Sequence, residues 1–215
     1  METRILVLGK GDNIITMILD NLYSTTPLKD VVDDIVVYNN LDLPIVNSFD
    51  HGKFNIQVLT EVNIEDYHLY VLGVYQPKHK IKILETLNPD SSKFTNIIHS
   101  GLDVSYTSTL GYGLLINSKV SIAAHTTIGN FVSINRHVSI GHHTTIGDFV
   151  SINPGCNIAG NVTIGQGTTI GMGANIIDGI TIGENSIIGA GSNVTKDIPS
   201  NVVAYGNPCK IIKNL

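Results

Sequence analysis

The sequence predicts a chain in two parts, a small N-terminal α/β domain followed by a parallel β-helix, and two observations carry this. From Val104 an aliphatic residue returns at every sixth position, through Leu110, Ile116, Ile122, Ile128 and Ile134, and onward without insertion or slip to Ile188 and Val194. Before Val104 the pattern is different: short apolar runs suited to buried strands alternate with stretches of helical spacing.

A period of six excludes an α-helix, because six residues carry a side chain away from its starting face. A short strand followed by a turn accommodates it. The fifth position of the repeat is small or β-branched, as at Thr126, Val132, Val138, Thr144, Val150, Cys156, Val162, Thr168, Ala174, Ser186 and Ser192. It is expected to point inward together with the aliphatic residue. The position after the aliphatic residue is often glycine, as at Gly129, Gly141, Gly147, Gly165, Gly171, Gly183 and Gly189. These glycines are expected to permit the sharp backbone of each corner. Three strands close a coil of about eighteen residues, so each coil buries its faces against its neighbours, as in other solenoids.

In the first hundred residues, Arg4 to Gly9 reads as a buried strand. Asp12 to Leu22 follows with Ile14, Ile15, Met17, Ile18 and Leu22 at helical spacing and Asp12 as N-cap. Ile35 to Tyr38 and Leu69 to Val74 read as further strands, His79 to Leu87 as a helix, and Thr95 to His99 as a short strand leading into the repeat. Gly9 and Gly11 end the first strand, where a glycine turn lets phosphate or ribose approach a helix N-terminus. Ile14 stands where a dinucleotide fingerprint has its third glycine, so a simple tight turn explains the pair as well. Asn39 and Asn40 follow the second strand, either as nucleotide contacts or as a turn.

Composition narrows the function classes. A net charge of −5 with no basic run argues against a nucleic-acid partner. The N-terminus lacks the apolar stretch of a signal peptide, and no segment supplies the roughly 18 apolar residues needed to span a bilayer. Cys156 and Cys209 make no disulfide framework, and a cytoplasmic location is expected.

The pattern [LIV]-G-x-x-[STAV]-x, joined to a short α/β domain, resembles the hexapeptide-repeat sugar-nucleotide acetyltransferases. These include the UDP-4-amino-sugar, perosamine and viosamine N-acetyltransferases and the sialic acid O-acetyltransferases. The ending from Asp197 through Gly206-Asn-Pro-Cys-Lys210-Ile-Ile resembles the segment that closes many coenzyme A-dependent members, with Cys209 in place of alanine. The resemblance implies a Rossmann-like nucleotide-sugar-binding domain over residues 1–100. A left-handed β-helix acetyltransferase domain over 101–198 and a closing segment over 199–215 complete the chain. It further implies acetyl-CoA as cosubstrate, a homotrimer with sites between subunits, and a place in glycan biosynthesis.

Four of the eight histidines, His125, His137, His142 and His143, fall close together. Acetyl transfer to an amine needs a base near neutral pH, and imidazole supplies one. Ile140-Gly-His-His-Thr-Thr-Ile-Gly-Asp-Phe resembles the family's base-bearing stretch, which places the base at His142. His143 stands where relatives carry an acid, so the carboxylate that orients the base must come from elsewhere, with Asp148 or another subunit as candidates. The resemblance also implies that Asn135 contacts the sugar, and that Ser151, Gly160, Met172, Ala190 and Lys210 line the coenzyme A cleft.

Two other readings use the same fold. His137-x4-His142 has the spacing of the γ-class carbonic anhydrases, but Gly101 and Lys119 occupy the places where a third zinc ligand would stand, so no metal is expected. A binding or scaffold solenoid without activity is the non-enzyme alternative. Within the enzyme reading, transfer to a 4-amino-4,6-dideoxyhexose amine is expected. O-acetylation of sialic acid or another sugar is the alternative.

Overall fold

A computed structural model describes residues 3–10, 12–24, 32–39 and 55–215. Four parallel strands form the N-terminal sheet: β1 (Thr3–Leu8), β2 (Val32–Tyr38), β3 (Asn55–Leu59) and β4 (Leu69–Leu72), in the order β3-β2-β1-β4. Two helices, α1 (Asp12–Ser24) and α2 (Pro77–Leu87), cover its two faces. Side chains of β1 alternate between these layers, as a pleated strand requires. Ile5 and Val7 pack with Ile15, Ile18 and Leu22 of α1, whereas Leu6 and Leu8 pack on the side of Ile83 in α2.

Strand β3 was not expected from the sequence; it is a short edge strand in which Ile56 and Val58 are partly buried and Gln57 and Leu59 exposed. α2 begins two residues earlier than its spacing implied, because Pro77 occupies the first turn, where a missing N–H is harmless.

The remainder is a parallel β-helix. Strand β5 (Ile97–Ile98) already pairs with the first coils, so the helical sheet begins slightly before residue 101. Two-residue strands β6 to β21 then recur every six residues, from Asp103–Val104 to Asn193–Val194. They stack into sheets in which partners are eighteen residues apart, as in Ser133↔Ser151 and Ile134↔Ile152. The aliphatic ladder and the small fifth-position residues form one continuous core, with Ile134, Val150, Ile152, Cys156 and Thr168 fully buried. Strands β22 (Val202–Tyr205) and β23 (Lys210–Asn214) finish one sheet, β22 parallel to β20 (Ile187–Ile188) and β23 antiparallel to β22.

The corner glycines have a different role from the one expected. The left-handed backbone falls two residues later, at glycines such as Gly155 and Gly173 but also at Lys119, His125, Phe131, His137, His143, Phe149 and Asn161. Gly141 is needed instead for close stacking: a Cβ there would stand 2.5 Å from the backbone of Ala159 and Gly160 in the next coil. At Gly141 the two backbones approach so closely that a side chain would collide.

The N-terminal domain lies against the eight-stranded sheet of the helix. Asn21 of α1 donates to the Ile116 carbonyl at 3.1 Å. On the other face, a run of aromatic contacts passes from Tyr70 through Phe94 and Phe131 to Phe149, the last pair stacked at 5.3 Å. Lys80 of α2 is completely buried at this junction. Its ammonium donates to the Phe131 carbonyl at 2.8 Å and to the Ser133 hydroxyl at 2.7 Å, with the Ser151 hydroxyl at 3.5 Å. Among the described residues no helix is long and apolar enough to cross a membrane.

Candidate active site

Strand β12 (Ser139–Ile140) delivers His142 and His143 to the corner before β13 (Thr145–Ile146). Both rings are exposed. Their Nδ1 atoms are 3.1 Å apart, in hydrogen-bond contact, and the rings meet edge to face. His143 also lies against His125 one coil earlier, with centroids 4.8 Å apart, as the eighteen-residue spacing implies.

The other edge of the His142 ring covers Gly160, one coil further on. A Cβ on Gly160 would lie 2.6 Å from Cε1 and 2.8 Å from Nε2 of His142, and 3.0 Å from Oδ1 of Asp178. The imidazole and this carboxylate therefore converge over a glycine. Asp178 stands two coils, thirty-six residues, beyond His142, and its Oδ1 accepts from Asn161 Nδ2 at 3.1 Å. That multiple of eighteen is the signal by which the sequence could have revealed it.

Asp148 is placed elsewhere. It occupies the following corner, where its carboxylate accepts from the Asn130 backbone N–H at 2.7 Å. Within one chain it does not orient His142.

A second feature lies at the preceding corner, between β11 (Ser133–Ile134) and β12. A cleft of about 480 Å³ runs between α1 and the helix, lined by Ile14, Thr16, Met17, Tyr75, Asn135, Arg136 and Asn153. Asn135 sits on its floor, nearly buried, its Oδ1 accepting from the Arg136 backbone N–H at 2.8 Å and from Asn117 Nδ2 at 3.3 Å. Tyr75 closes the inner end; its hydroxyl donates to the Ile152 carbonyl and lies in hydrogen-bond contact with Asn135. Burial pushes the Tyr75 phenol well above its usual range, so it stays a neutral donor. Arg136 is the exposed cation at the cleft mouth. Neither Tyr75 nor Arg136 carried a sequence signal, since each joins the site through tertiary packing alone.

The remaining expected residues are distributed as follows. Gly9 ends β1 at φ 93° and is buried beside Gly73, where a Cβ on Gly73 would collide with the Gly9 carbonyl. Asn39 follows β2, buried, with its backbone N–H donating to the Leu59 carbonyl at 2.8 Å. Gly11 and Asn40 lie outside the described residues. Met172 and Ala190, both exposed, stack eighteen apart in the column of Arg136, a corner away from Gly160 and His142. Lys210 is exposed on β23 at the far end of the helix.

Ser151 departs from its expected place. It faces outward from its strand, but the N-terminal domain covers it completely; its hydroxyl donates to the Tyr75 carbonyl at 2.6 Å and lies beside Lys80. The cover of this sheet by the first domain is what removes it from any ligand. His137 and His142 sit at successive corners on either side of β12, and among the described residues no three histidine, cysteine, aspartate or glutamate side chains cluster as metal ligands would.

Two overlapping segments, residues 143–177 and 161–196, match the family described as bacterial transferase hexapeptide (six repeats). This stretch lies within the β-helix. No curated protein matches by sequence. Solved structures that contain such a helix match over nearly the whole chain. Perosamine N-acetyltransferase from Caulobacter crescentus, a histidine-to-asparagine variant in complex with CoA and GDP-perosamine, is 22% identical. It has a TM-score of 0.82 and covers 97% of each chain. The acetyltransferase domain of PglB from Neisseria gonorrhoeae, in complex with acetyl coenzyme A, is 22% identical over 98% of this chain and 100% of its own, with a TM-score of 0.83. WeeI from Acinetobacter baumannii is 19% identical over 98% and 100%, with a TM-score of 0.78. These likenesses establish that the hexapeptide helix and the N-terminal α/β unit form one shared fold.

Proposed function

We propose that this protein transfers an acetyl group from acetyl-CoA to the amine of a nucleotide-linked amino sugar, with His142 as general base. The carrying observation is the His142 ring held over Gly160, with the Arg136 cleft one corner away. An exposed imidazole suits proton removal from an amine as that amine attacks a thioester. In the step proposed, the amine nitrogen bonds to the acetyl carbon and its proton passes to His142 Nε2. The carbon–sulfur bond breaks, and the thiolate recovers the proton from His142.

In this reading the N-terminal unit is a Rossmann-like domain and the helix is left-handed, as the family resemblance implies. Gly9 and Asn39, at the carboxyl ends of β1 and β2, lie where parallel sheets receive nucleotides. The cleft holding Asn135 and Arg136 suits a sugar nucleotide, its arginine facing the phosphates. Met172 and Ala190 continue the Arg136 column, whereas Gly160 shares the His142 column. Coenzyme A contacts on both columns fit a cosubstrate lying between two chains, which supports a homotrimer with three interfacial sites. Binding of CoA and GDP-perosamine by the Caulobacter protein and of acetyl coenzyme A by the Neisseria domain supports the same substrates here.

The test is a thiol-release assay with acetyl-CoA and a panel of nucleotide-linked 4-amino sugars. Turnover is expected with at least one of them, and His142→Asn should lower kcat by about 10²–10⁴-fold. Full turnover by His142→Asn would show that the base lies elsewhere. Products acetylated on oxygen rather than nitrogen would replace the amine by a hydroxyl as nucleophile.

A further inference from the structure

We infer that His143 is a positioning residue for the base: its Nδ1 accepts the Nδ1–H of His142 and so holds His142 in the tautomer whose Nε2 is free. The inference rests on the acyl-transfer reading and adds what that reading lacks, a partner for the imidazole where no acid follows it.

A neutral imidazole has one N–H and one lone pair in its ring plane. The 3.1 Å contact between the two Nδ1 atoms therefore holds a single proton. If His143 donates it, His142 carries its own hydrogen on Nε2 and has no lone pair facing Gly160. If His142 donates it, Nε2 is left as an acceptor, the nitrogen to which the acyl-transfer reading assigns the nucleophile's proton. Only the second arrangement makes a base, and His143 can support it because its ring is exposed and water can accept from its own Nε2–H.

Asp178 does not take this role. Its Oδ1 lies on the Nε2 side of His142 and accepts from Asn161, and no hydrogen bond joins it to His142 among the described residues. The contact at Nδ1 sets which nitrogen of His142 receives the proton. His143 adopts a φ of 56°, as His125 does one coil earlier at 58°, and the same corner carries Asn161 and Gly179 one and two coils on.

That conformation also selects the variants. His143→Gly removes the ring without straining the turn, and His143→Asp restores an acceptor that cannot stack on His125 as an imidazole does. Under the inference, His143→Gly lowers kcat about 10- to 100-fold with little change in KM for either substrate, and His143→Asp recovers most of it. Nitrogen-15 NMR of the imidazoles, on the full-length protein above neutral pH, should find the His142 proton on Nδ1 in the wild type and in His143→Asp. In His143→Gly it should move to Nε2. Unchanged kcat in His143→Gly, no recovery in His143→Asp, or a wild-type His142 proton on Nε2 overturns the inference. Absence of acetyl transfer by the wild type overturns the acyl-transfer reading alone, because the spectra decide the tautomer without substrate.

Discussion

Gly160 leaves room for the ring of His142. A Cβ on Gly160 would meet the Cε1–Nε2 edge of that ring at 2.6 and 2.8 Å, whereas the equivalent atom on Gly141 would meet only backbone, at 2.5 Å. Two glycines of one helix therefore answer to different demands, one to the site and one to the stacking of coils.

The contrast predicts opposite outcomes for the same substitution. Gly160→Ala should fold with little loss of thermal stability, because an exposed ring can swing aside. Its kcat should fall about 100-fold, since a displacement near 1 Å is enough. Gly141→Ala should lower the melting temperature markedly, because backbone cannot yield as a ring can. Circular dichroism melts alongside turnover separate the two; equal effects on stability would contradict the assignment.

Arg136 stands at the mouth of the cleft beside α1. Arg136→Ala should raise KM for the nucleotide sugar about tenfold or more, as expected for loss of a charge-assisted contact to phosphate. KM for acetyl-CoA should change less, and kcat should be largely kept. A selective rise for acetyl-CoA instead would assign the cleft to the cosubstrate.

Lys80 makes stability depend on pH. Burial lowers its ammonium from 10.5 to about 7 in the folded protein. Between those values the unfolded chain binds a proton that the native state does not, so unfolding becomes harder as pH rises from about 7 towards 10. Below about 7 both states are protonated and the effect vanishes. The slope cannot exceed about 1.4 kcal/mol per pH unit, and the acceptors at Phe131 and Ser133 favour the ammonium and reduce it. Urea unfolding at pH 7 and pH 9.5 should show this rise in the wild type and a smaller one in Lys80→Met. Equal slopes would mean that Lys80 stays charged throughout.

Ile164 belongs to the inward ladder and is almost wholly buried. Ile164→Ala should cost about 2–5 kcal/mol in unfolding free energy, because flanking coils cannot close the gap without breaking register. A loss below 1 kcal/mol would show that the helix relaxes more readily than its close-packed coils imply.

The six-residue spacing from Val104 to Val194 was enough to determine the coil, its inward ladder and the stacking of residues eighteen apart. Each of these follows from local geometry repeated without interruption. His142 and His143 stood out through the motif around them, and the structure brings their Nδ1 atoms into contact. Asp178 was legible only in principle, because its link to His142 is a distance of two whole coils.

Packing between the two parts decided the rest. Lys78, Lys80 and Lys82 look alike in sequence, yet only Lys80 projects under Phe131 and Ser133, since the docking of α2 selects one face. Ser151 is expected in the coenzyme A cleft by resemblance, whereas that same docking covers its strand. The glycine after each aliphatic residue reads as a turn former until the neighbouring backbone is placed 2.5 Å from its missing Cβ. A repeat states its own period, whereas burial at a junction depends on which surface another domain happens to cover, and that is settled only when the chain is folded.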